Sequence, residues 1–461
     1  MACASKCGVG VMGRGRVRNR VPRTAPAGAV ALAAAVAVLG SPGGGYGAHA
    51  AYAAEPSPQA GSAYRPAEGA KKVEGKPTTA DAPLVDVGGV YSDTLGPGER
   101  LYRLGLDDNS SVYVSAVVQP PRGAKVGYGD GIEVEIITTE GRRCQNNTGR
   151  AGFGYDPVPV SAVAVRRLEE DAECQGRGTY FARVTRTAAK DSDQRAWPVE
   201  LKIQREPGLG TGSAPTTAPS VWPSASPALP GTDPVARTGG TGFNDARALG
   251  SGVWRDDLRP GQTRYYRVPV DWGQQLGLSA EIAKAAMTKQ YGSASNGLSV
   301  ALYSPYRALV DSKETSYDGK QAGVTLPKTA PVAYENRFSS DAEVRGTRLA
   351  GWYYLAVTLG GKVAEFTEDA TPVPLTLRVQ VSGDAAKAPA YGESLSAAGF
   401  GVGADERNAA RDGLTAPEAA DAAENRSAMG VVAGAGFGAG ALLLLVLGGW
   451  ILLARRGRGT P

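Results

Sequence analysis

Through most of its length the chain alternates apolar and polar side chains in short runs, and turn residues separate the runs. Pro97-Gly98 predicts a tight turn, because proline presets φ and glycine accepts a positive φ. After this turn, Tyr102, Leu104 and Leu106 fall on one face of an extended segment. A period of two is typical of a β-strand with one face on a core. The pattern therefore predicts antiparallel sheets with these three side chains buried.

The same order of predicted strands occurs twice. V-Y-S-D-T-L-G-P-G-E-R-L-Y-R, from Val90, resembles V-W-R-D-D-L-R-P-G-Q-T-R-Y-Y-R, from Val253, with one residue inserted before Tyr266. Four more aligned blocks begin at Val112, Ile132, Gly178 and Val199 in the first half and at Leu276, Leu298, Gly351 and Val373 in the second. We predict an all-β ectodomain of two homologous antiparallel, jelly-roll-like β-sandwiches, at 84–206 and 241–382, each long enough to bury a core.

This order of blocks resembles bacterial pre-peptidase C-terminal domains, which are small jelly-roll sandwiches appended to secreted proteases and surface proteins. The resemblance rests on L-x-P-G-x-x-x-Y at Leu95–Tyr102, on its longer counterpart at Leu258–Tyr266, and on G-x-Y-[FY] at Gly178–Phe181 and Gly351–Tyr354. It implies a fold and an accessory role, and it brings no catalytic residue. The layout of the chain also resembles membrane-anchored surface proteins of high-GC Gram-positive (actinobacterial) type, given its Ala/Gly/Arg bias.

An apolar stretch near the N-terminus predicts an export signal. Ala27–Gly40 is shorter than the roughly 20 residues that cross a bilayer, and basic residues without an acidic one precede it. Small-x-small sites follow, so we predict a signal peptide over 1–53, cleaved after Ala53 or alternatively after Ala50. An uncleaved N-terminal anchor is the other interpretation, and Met12 is a second candidate start.

A second apolar stretch predicts a transmembrane helix at 429–454. It carries no charge, and Arg455, Arg456 and Arg458 follow it. The positive-inside rule places 455–461 in the cytoplasm and the bulk of the chain outside. The prediction is therefore a type I single-pass protein of the plasma membrane. Whether the glycines of this stretch bring two helices together, or only reflect a glycine-rich chain, stays open.

Three segments lack periodicity and predict connections between domains. The polar segment 54–83 predicts a disordered linker. The Pro/Ser/Thr/Gly-rich segment 207–240 predicts a flexible spacer, which leaves the two sandwiches without a fixed interface. The Ala/Gly-rich, charged segment 383–428 predicts a stalk, with a short helix from Ala416 to Ala428.

The charge and the histidine content exclude several classes of function. The net charge is +5, but removing the signal peptide and the cytoplasmic arginines leaves a slightly acidic exterior without the basic footprint that nucleic-acid binding needs. The only histidine is His49, within the predicted signal. Histidine-based catalysis and histidine-ligated zinc are therefore excluded from the mature chain. We predict no enzyme, no catalytic residue, no cofactor and no metal.

Two cysteines remain after the predicted signal. In an oxidising compartment, Cys144 and Cys174 predict a disulfide, and two free buried thiols are the alternative. Arg142 and Arg143 precede the first cysteine, and Asn147 follows it. A charged loop held by a disulfide predicts an interaction surface, although a plain solvated loop has the same composition.

Other candidate ligand contacts lie in the second half. Trp272 has no aromatic counterpart in the first half, which predicts an exposed side chain in contact with a ligand. The other candidates for a glycan-binding platform are Trp254, Trp352, Tyr353 and Tyr354, for which core packing is the favoured interpretation. The segment Asp107–Asn109 and Asp271 follow strands, and we interpret them as turn caps rather than as calcium ligands.

Together these features predict a non-enzymatic cell-surface protein whose tandem sandwiches mediate protein interactions in the cell envelope. The predicted partner is another envelope protein, besides the membrane itself. The alternative is a module that binds wall glycan or extracellular polysaccharide, which requires exposed coplanar aromatic rings. A histidine-free enzyme would require carboxylates that converge in a cleft.

Overall fold

A computed structural model describes residues 64–121, 123–144, 149–152, 154, 156–168, 173–210, 221–222, 231–368 and 371–456. The predicted signal peptide at 1–53 lies outside these residues, as do Asn147 and Arg458.

The first sandwich consists of ten strands in two five-stranded sheets. They are β1 Lys71–Lys72, β2 Leu84–Val85, β3 Val90–Leu95, β4 Gly98–Leu106, β5 Ser110–Val118, β6 Gly131–Thr138, β7 Gly149–Gly152, β8 Val160–Arg166, β9 Gly178–Thr187 and β10 Trp197–Pro207. One sheet has the order β1-β3-β10-β5-β8 and the other has the order β2-β4-β9-β6-β7.

The second sandwich repeats this topology strand for strand. Its strands are β11 Val235–Ala236, β12 Arg247–Ala248, β13 Gly252–Leu258, β14 Thr263–Val270, β15 Gln275–Ile282, β16 Ala294–Tyr303, β17 Leu309–Tyr317, β18 Ala322–Leu326, β19 Gly351–Leu359 and β20 Val373–Ser382. Its sheets have the orders β11-β13-β20-β15-β18 and β12-β14-β19-β16-β17. The chain therefore has an all-β fold of two domains, as predicted.

Most neighbouring strands are antiparallel, but the short first strand of each sheet is parallel to its neighbour. Tyr102, Leu104 and Leu106 are buried in the first core, as their spacing predicts. The predicted equivalence of Val199 with Val373 in the last block of the repeat is wrong by two residues. Val199 pairs with Asp93, and the homologous Asp256 pairs with Leu375 rather than with Val373.

In each sandwich, an equivalent aspartate accepts hydrogen bonds from a tyrosine hydroxyl and a glycine amide. The Tyr102 hydroxyl donates to Asp93 Oδ2 over 2.8 Å, and the Gly75 amide donates to the same oxygen over 2.7 Å. In the second sandwich, the Tyr266 hydroxyl and the Gly239 amide donate to Asp256 Oδ2 over 2.6 and 2.8 Å. A Cβ atom at either glycine would lie within 2.8 Å of the tyrosine ring, so glycine is required there.

The helices lie mainly after the second sandwich. They are the short α1 Ala342–Gly346, α2 Ala404–Asp412 and α3 Ala416–Arg456, with 3₁₀ turns at Tyr334–Phe338, Gly361–Glu365 and Ser396–Ala398. The helix predicted from Ala416 begins there but continues to Arg456, so Arg455 and Arg456 form its end. No helix in the described part of the chain is long and apolar enough to cross a membrane.

Two of the predicted connections are wrong where the structure describes them. Part of 54–83 is ordered, because Lys71–Lys72 pairs with β3 and the buried Tyr64 contacts the sandwiches. The segment 383–428 is not a free stalk, because Phe400 is buried in the second core. In both cases short apolar anchors bind a segment whose average composition is polar. Within 207–240, the ends are held: β11 pairs with β13, and Leu209 forms a bridge with Tyr391.

Candidate functional site

The candidate site lies where the outer face of one sheet of the first sandwich meets the second sandwich. Odd-numbered residues of β10 enter the first core, which leaves Glu200, Lys202, Gln204 and Glu206 on the opposite face. Such a row of polar side chains predicts contact with water. Instead, Glu200, Gln204 and Glu206 are buried, because the second sandwich and the segment after it cover this face. The predicted absence of a fixed interface is therefore wrong.

Glu200 is the centre of the first polar cluster in this interface. Arg307, in the turn between β16 and β17, donates to Glu200 Oε1 over 2.6 Å, and both side chains are 2% exposed. The Tyr64 hydroxyl and the Asn244 amide also donate to Glu200. Burial raises the pKa of Tyr64 well above its usual value, with a further contribution from the carboxylate. The second sandwich thus satisfies a carboxylate that the first sandwich alone would leave without a cation.

Glu206 is the centre of the second cluster. Arg337 donates to Glu206 Oε1 over 2.6 Å, and the hydroxyls of Tyr113 and Tyr391 donate to the same carboxylate over 2.5 and 2.9 Å. Burial by itself would raise the pKa of Glu206, but the arginine and the hydrogen bonds hold this pKa below its usual value. Glu206 therefore stays ionised at neutral pH, with its donors supplied by three segments of the chain.

Aromatic packing fills the space between the two clusters. Tyr113 stacks on Tyr306 with ring centroids 4.5 Å apart, and the Arg348 guanidinium lies 5.2 and 4.7 Å from these rings. Arg307, next to Tyr306, has a φ of 66°, which is uncommon for a residue other than glycine. The Ser161 hydroxyl donates to the Arg307 carbonyl and holds this turn against β8.

A cavity of about 440 Å³ lies along part of β10, and we call it the lysine cavity. Its walls are Val87–Gly88, residues 202–205 of β10, and the segments 393–394 and 397–399 after the second sandwich. Lys202 is half-buried here. Desolvation, with repulsion by Arg307 that Glu200 only partly offsets, lowers the pKa of Lys202 to about 7.

A second cavity, of about 410 Å³, contains the predicted ligand contact Trp272, and we call it the tryptophan cavity. Val332, Tyr334 and Pro389 also line it. The prediction of an exposed Trp272 is wrong, because the side chain is only 4% exposed. The centroid of its ring lies 6.4 Å from that of the Tyr391 ring. A residue of the segment after the second sandwich therefore packs against this side chain.

Most of the other aromatic and acidic candidates follow the favoured interpretations. Trp254 and Tyr353 are buried in the second core, as expected, and Trp352 is partly exposed. Tyr354 is buried outside this core, where it packs on Phe243 in a cluster that also contains Tyr64 and Val117. Asp107 Oδ1 accepts hydrogen bonds from the amides of Asn109 and Ser110, as in a capped turn. Asp271 accepts from the Trp272 amide and from Arg407. Among the residues that the structure describes, no three Cys, His, Asp or Glu side chains form a metal-binding group.

Cys144 and Cys174 form the predicted disulfide. It closes the end of the turn after β6, which carries Arg142 and Arg143. Both guanidinium groups are largely exposed, at 68% and 55% of the side chain. Arg143 pairs with the buried Glu135, whereas Arg142 lies 4.0 Å from an exposed glutamate.

This turn has the same place in the first sandwich as the docking turn in the second. Ile136 and Leu302 are equivalent strand residues, and the next turn carries Arg142 and Arg143 in one case and Arg307 in the other. The second sandwich uses its turn to bind a carboxylate on the first. Among the residues described, no sandwich face covers the turn of the first sandwich, which carries Arg142 and Arg143.

The sequence carried one signal for this interface. Every residue of β5 and β8 is buried, and both strands are apolar at successive positions, as in strands covered on two faces. The charged partners themselves, Glu200, Glu206, Arg307 and Arg337, carry no such signal, because alternating charges on a strand also describe a solvated face.

No protein-family model and no curated protein matches this sequence. Similar solved structures include the pre-peptidase C-terminal domain of a Bacillus anthracis collagenase, with 12% identity over 27% of this chain and 95% of that chain and a TM-score of 0.17. Another is the N-terminal CBM22-1–CBM22-2 tandem domain of Paenibacillus barcinonensis Xyn10C, with 16% identity over 65% of this chain and 92% of that chain and a TM-score of 0.17. The CUB1-EGF-CUB2 domain of human MASP-1/3 has 7% identity over 63% and 99%, with a TM-score of 0.17.

All three likenesses are weak in identity and in TM-score. It is therefore the sheets of this chain that show that it consists of β-sandwich modules. Membership in the pre-peptidase C-terminal family remains a prediction.

Proposed function

We propose that this chain is a non-enzymatic type I single-pass protein of the cell surface, whose paired sandwiches bind another protein of the envelope. The uncharged stretch 429–454, followed by arginines, supports the membrane anchor. The bulk of the chain then lies outside the cell, with the sandwiches as the part that binds.

The observation that carries the proposal is the exposed turn of the first sandwich. Its homologue in the second sandwich binds a protein surface through Arg307, which pairs with a buried carboxylate. Arg142 offers the same chemistry at the equivalent place, whereas the neighbouring Arg143 already pairs with Glu135 of its own sandwich. The disulfide at Cys144 limits the motion of the turn. Less side-chain and loop entropy is then lost on binding, which favours affinity.

The partner surface that fits is a sheet face with carboxylates flanked by aromatic side chains. That is the chemistry of the face that Arg307 meets, where Glu200 lies close to Tyr64. Arginine suits such a surface because its planar guanidinium binds a carboxylate and stacks on aromatic rings.

Crosslinking on intact cells that produce the full chain tests this proposal, with mass spectrometry of the co-purified material. We expect one protein in stoichiometric yield. The substitution Arg142→Glu should reduce its recovery about tenfold or more, because the loss of a charge-assisted contact at an interface is of that size.

The matched control is Lys284→Glu, which makes the same charge change at one exposed residue of the second sandwich. Equal loss in the control would mean that net charge, not the turn, governs recovery. If wall material co-purifies and no protein does, the chain binds glycan instead and the protein-binding proposal is wrong.

A further inference from the structure

The segment after the second sandwich contains a junction that the proposed function does not use. Here α2 packs on β12 and β14 and also contacts α3. Ala409 and Ala410 of α2 are buried. Between the two helices, the Leu414 carbonyl accepts hydrogen bonds from the Ala248 amide of β12 over 3.2 Å and from Arg267 of β14 over 3.0 Å. The sandwich therefore holds the point just before α3 begins through its backbone and through a side chain.

Two arginines of the second sandwich reinforce this junction. Arg237 donates to the carbonyls of Arg411 and Asp412 over 2.9 and 2.6 Å. The last carbonyls of a helix lack partners within it and carry partial negative charge, so a cation is favourable at this end of α2. Arg267 is only 4% exposed, and its guanidinium lies 4.1 Å from the centroid of the Trp352 ring. Stacking pre-orders this guanidinium, so less entropy is lost when it forms its hydrogen bond.

The first turn of α3 is held by an ion pair. Arg247 of β12 donates to Glu418 Oε2 over 2.8 Å, and the Thr415 amide donates to the same oxygen over 2.7 Å. The two charged side chains are partly buried, at 24% and 39% exposed. Since α3 is one continuous helix, a fixed first turn sets the direction of its axis. The exposed pair between Arg426 and Asp405 lies farther along α3 and adds little.

We propose that the second sandwich, α2 and α3 form one rigid body, which carries rotation of the sandwiches to the apolar stretch 429–454. From Ala416 to Met429 the helix extends about 20 Å, so the sandwich stays at a fixed distance from this stretch. A partner that binds and turns the sandwiches then turns the stretch as well, whereas a loose stalk would absorb the motion. The rigid junction rests on the contacts above, and only its effect inside a membrane rests on the proposed function.

Distances between two spin labels test the junction in the full chain, in detergent at neutral pH. Lys284→Cys places one label on the second sandwich and Asp421→Cys places the other on α3, and both positions are exposed. Cys144 and Cys174 are joined in the disulfide and take no label. We expect one narrow distance distribution from double electron–electron resonance. A broad distribution in this protein overturns the proposal.

Arg247→Ala with Arg267→Ala should widen the distribution about twofold or more, because a segment with few buried contacts moves independently. Glu418→Ala leaves the arginines of the sandwich in place and should widen it in the same direction. Arg378→Ala is the matched control, since its ion pair with Glu281 lies within the sandwich and should leave the width unchanged. An unchanged width in the double variant, or equal widening in the control, contradicts the assignment.

Hydrogen exchange of the unmodified protein gives a second readout. The amides of Gly413 and Leu414, which both donate to the Ala409 carbonyl, should exchange about as slowly as those of β14, because they open only when the sandwich does. Exchange as fast as in an exposed loop would overturn the rigid junction.

A spin label at Leu444→Cys in lipid nanodiscs separates this proposal from the proposed function. Water contact at this label with narrow distances between the first two labels overturns the membrane anchor alone. Lipid contact with broad distances overturns the rigid junction alone.

Discussion

Tyr102 and Tyr266 occupy equivalent positions in the two sandwiches, and each donates its hydroxyl to an aspartate that also accepts a glycine amide. Burial raises the pKa of both tyrosines, with the aspartates as the next contribution. These hydroxyls therefore stay protonated donors at any ordinary pH. The matched aspartates and tyrosines were visible in the repeat, but their hydrogen bond was not, because sequence spacing does not show which side chains meet.

We predict that Tyr102→Phe and Tyr266→Phe each lower the free energy of unfolding by about 1.5–3 kcal/mol, since each removes a hydrogen bond to a buried or half-buried carboxylate. Urea denaturation followed by tryptophan fluorescence measures the change. Tyr291→Phe is the matched control, because its side chain is 81% exposed. A loss as large in the control as in the two variants would contradict the prediction.

Lys202 carries a cost that depends on pH. Its pKa falls from 10.5 in the unfolded chain to about 7 in the folded one. Folding therefore favours the uncharged amine. This destabilisation is complete below about pH 7 and disappears as the pH rises towards 10.5.

It follows that Lys202→Met should raise the free energy of unfolding at pH 7 and below. The two proteins should approach equal stability near pH 10. Urea denaturation at a series of pH values checks both statements. A variant that is less stable than the wild type at every pH would show that the lysine contributes packing or an ion pair instead.

At the scale of elements, the periodicity predicted the strands well and the connections poorly. The alternation along β4 placed Tyr102 and Leu104 in the core, where they lie. Segments such as 383–428 were misjudged, because a single buried ring, Phe400, can anchor a stretch whose mean composition is polar. Trp272 was misjudged for a related reason: its partner, Tyr391, lies outside the repeat, so comparison of the two halves could not find it.

The disulfide belongs to this scale, because it joins the turn after β6 to the segment before β9. Cys144→Ser with Cys174→Ser should destabilise the first sandwich by about 3–4 kcal/mol, since the bond closes a loop of about 30 residues in the unfolded chain. Thermal unfolding with and without a reductant measures this effect. The reductant should destabilise the wild type by the same amount as the double substitution does, and it should not change the stability of the variant. An unchanged wild type in reductant would mean that the bond adds little.

For the whole molecule, the consequence of the two buried carboxylates is that the sandwiches behave as one body. Removing one partner of a buried ion pair leaves an uncompensated charge, which costs about 3–5 kcal/mol. Arg307→Ala should therefore impose this cost on Glu200, and Arg337→Ala should do the same to Glu206. The polar linker composition gave no indication of this coupling, because linkers of the same kind connect independent domains elsewhere.

Calorimetry of the full chain in detergent tests the coupling. We expect a single unfolding transition for the two sandwiches of the wild type, and two transitions for the double variant Arg307→Ala and Arg337→Ala. Arg378→Ala is the control, because its ion pair with Glu281 is partly exposed and lies within one sandwich. Two transitions in the wild type would show that the interface does not couple the domains.

The interface joins unlike faces of the two sandwiches, and this asymmetry limits the addition of further sandwiches. A contact between unlike faces of two related modules can repeat without end, each new copy adding to the last, and produce a filament. Here β20 is the equivalent of β10, and its register places Thr376 and Ser382 where the first sandwich has Glu200 and Glu206. An arginine-bearing turn from a third sandwich would find no carboxylate on β20. A third sandwich therefore could not dock on β20 in the way that the second sandwich docks on β10.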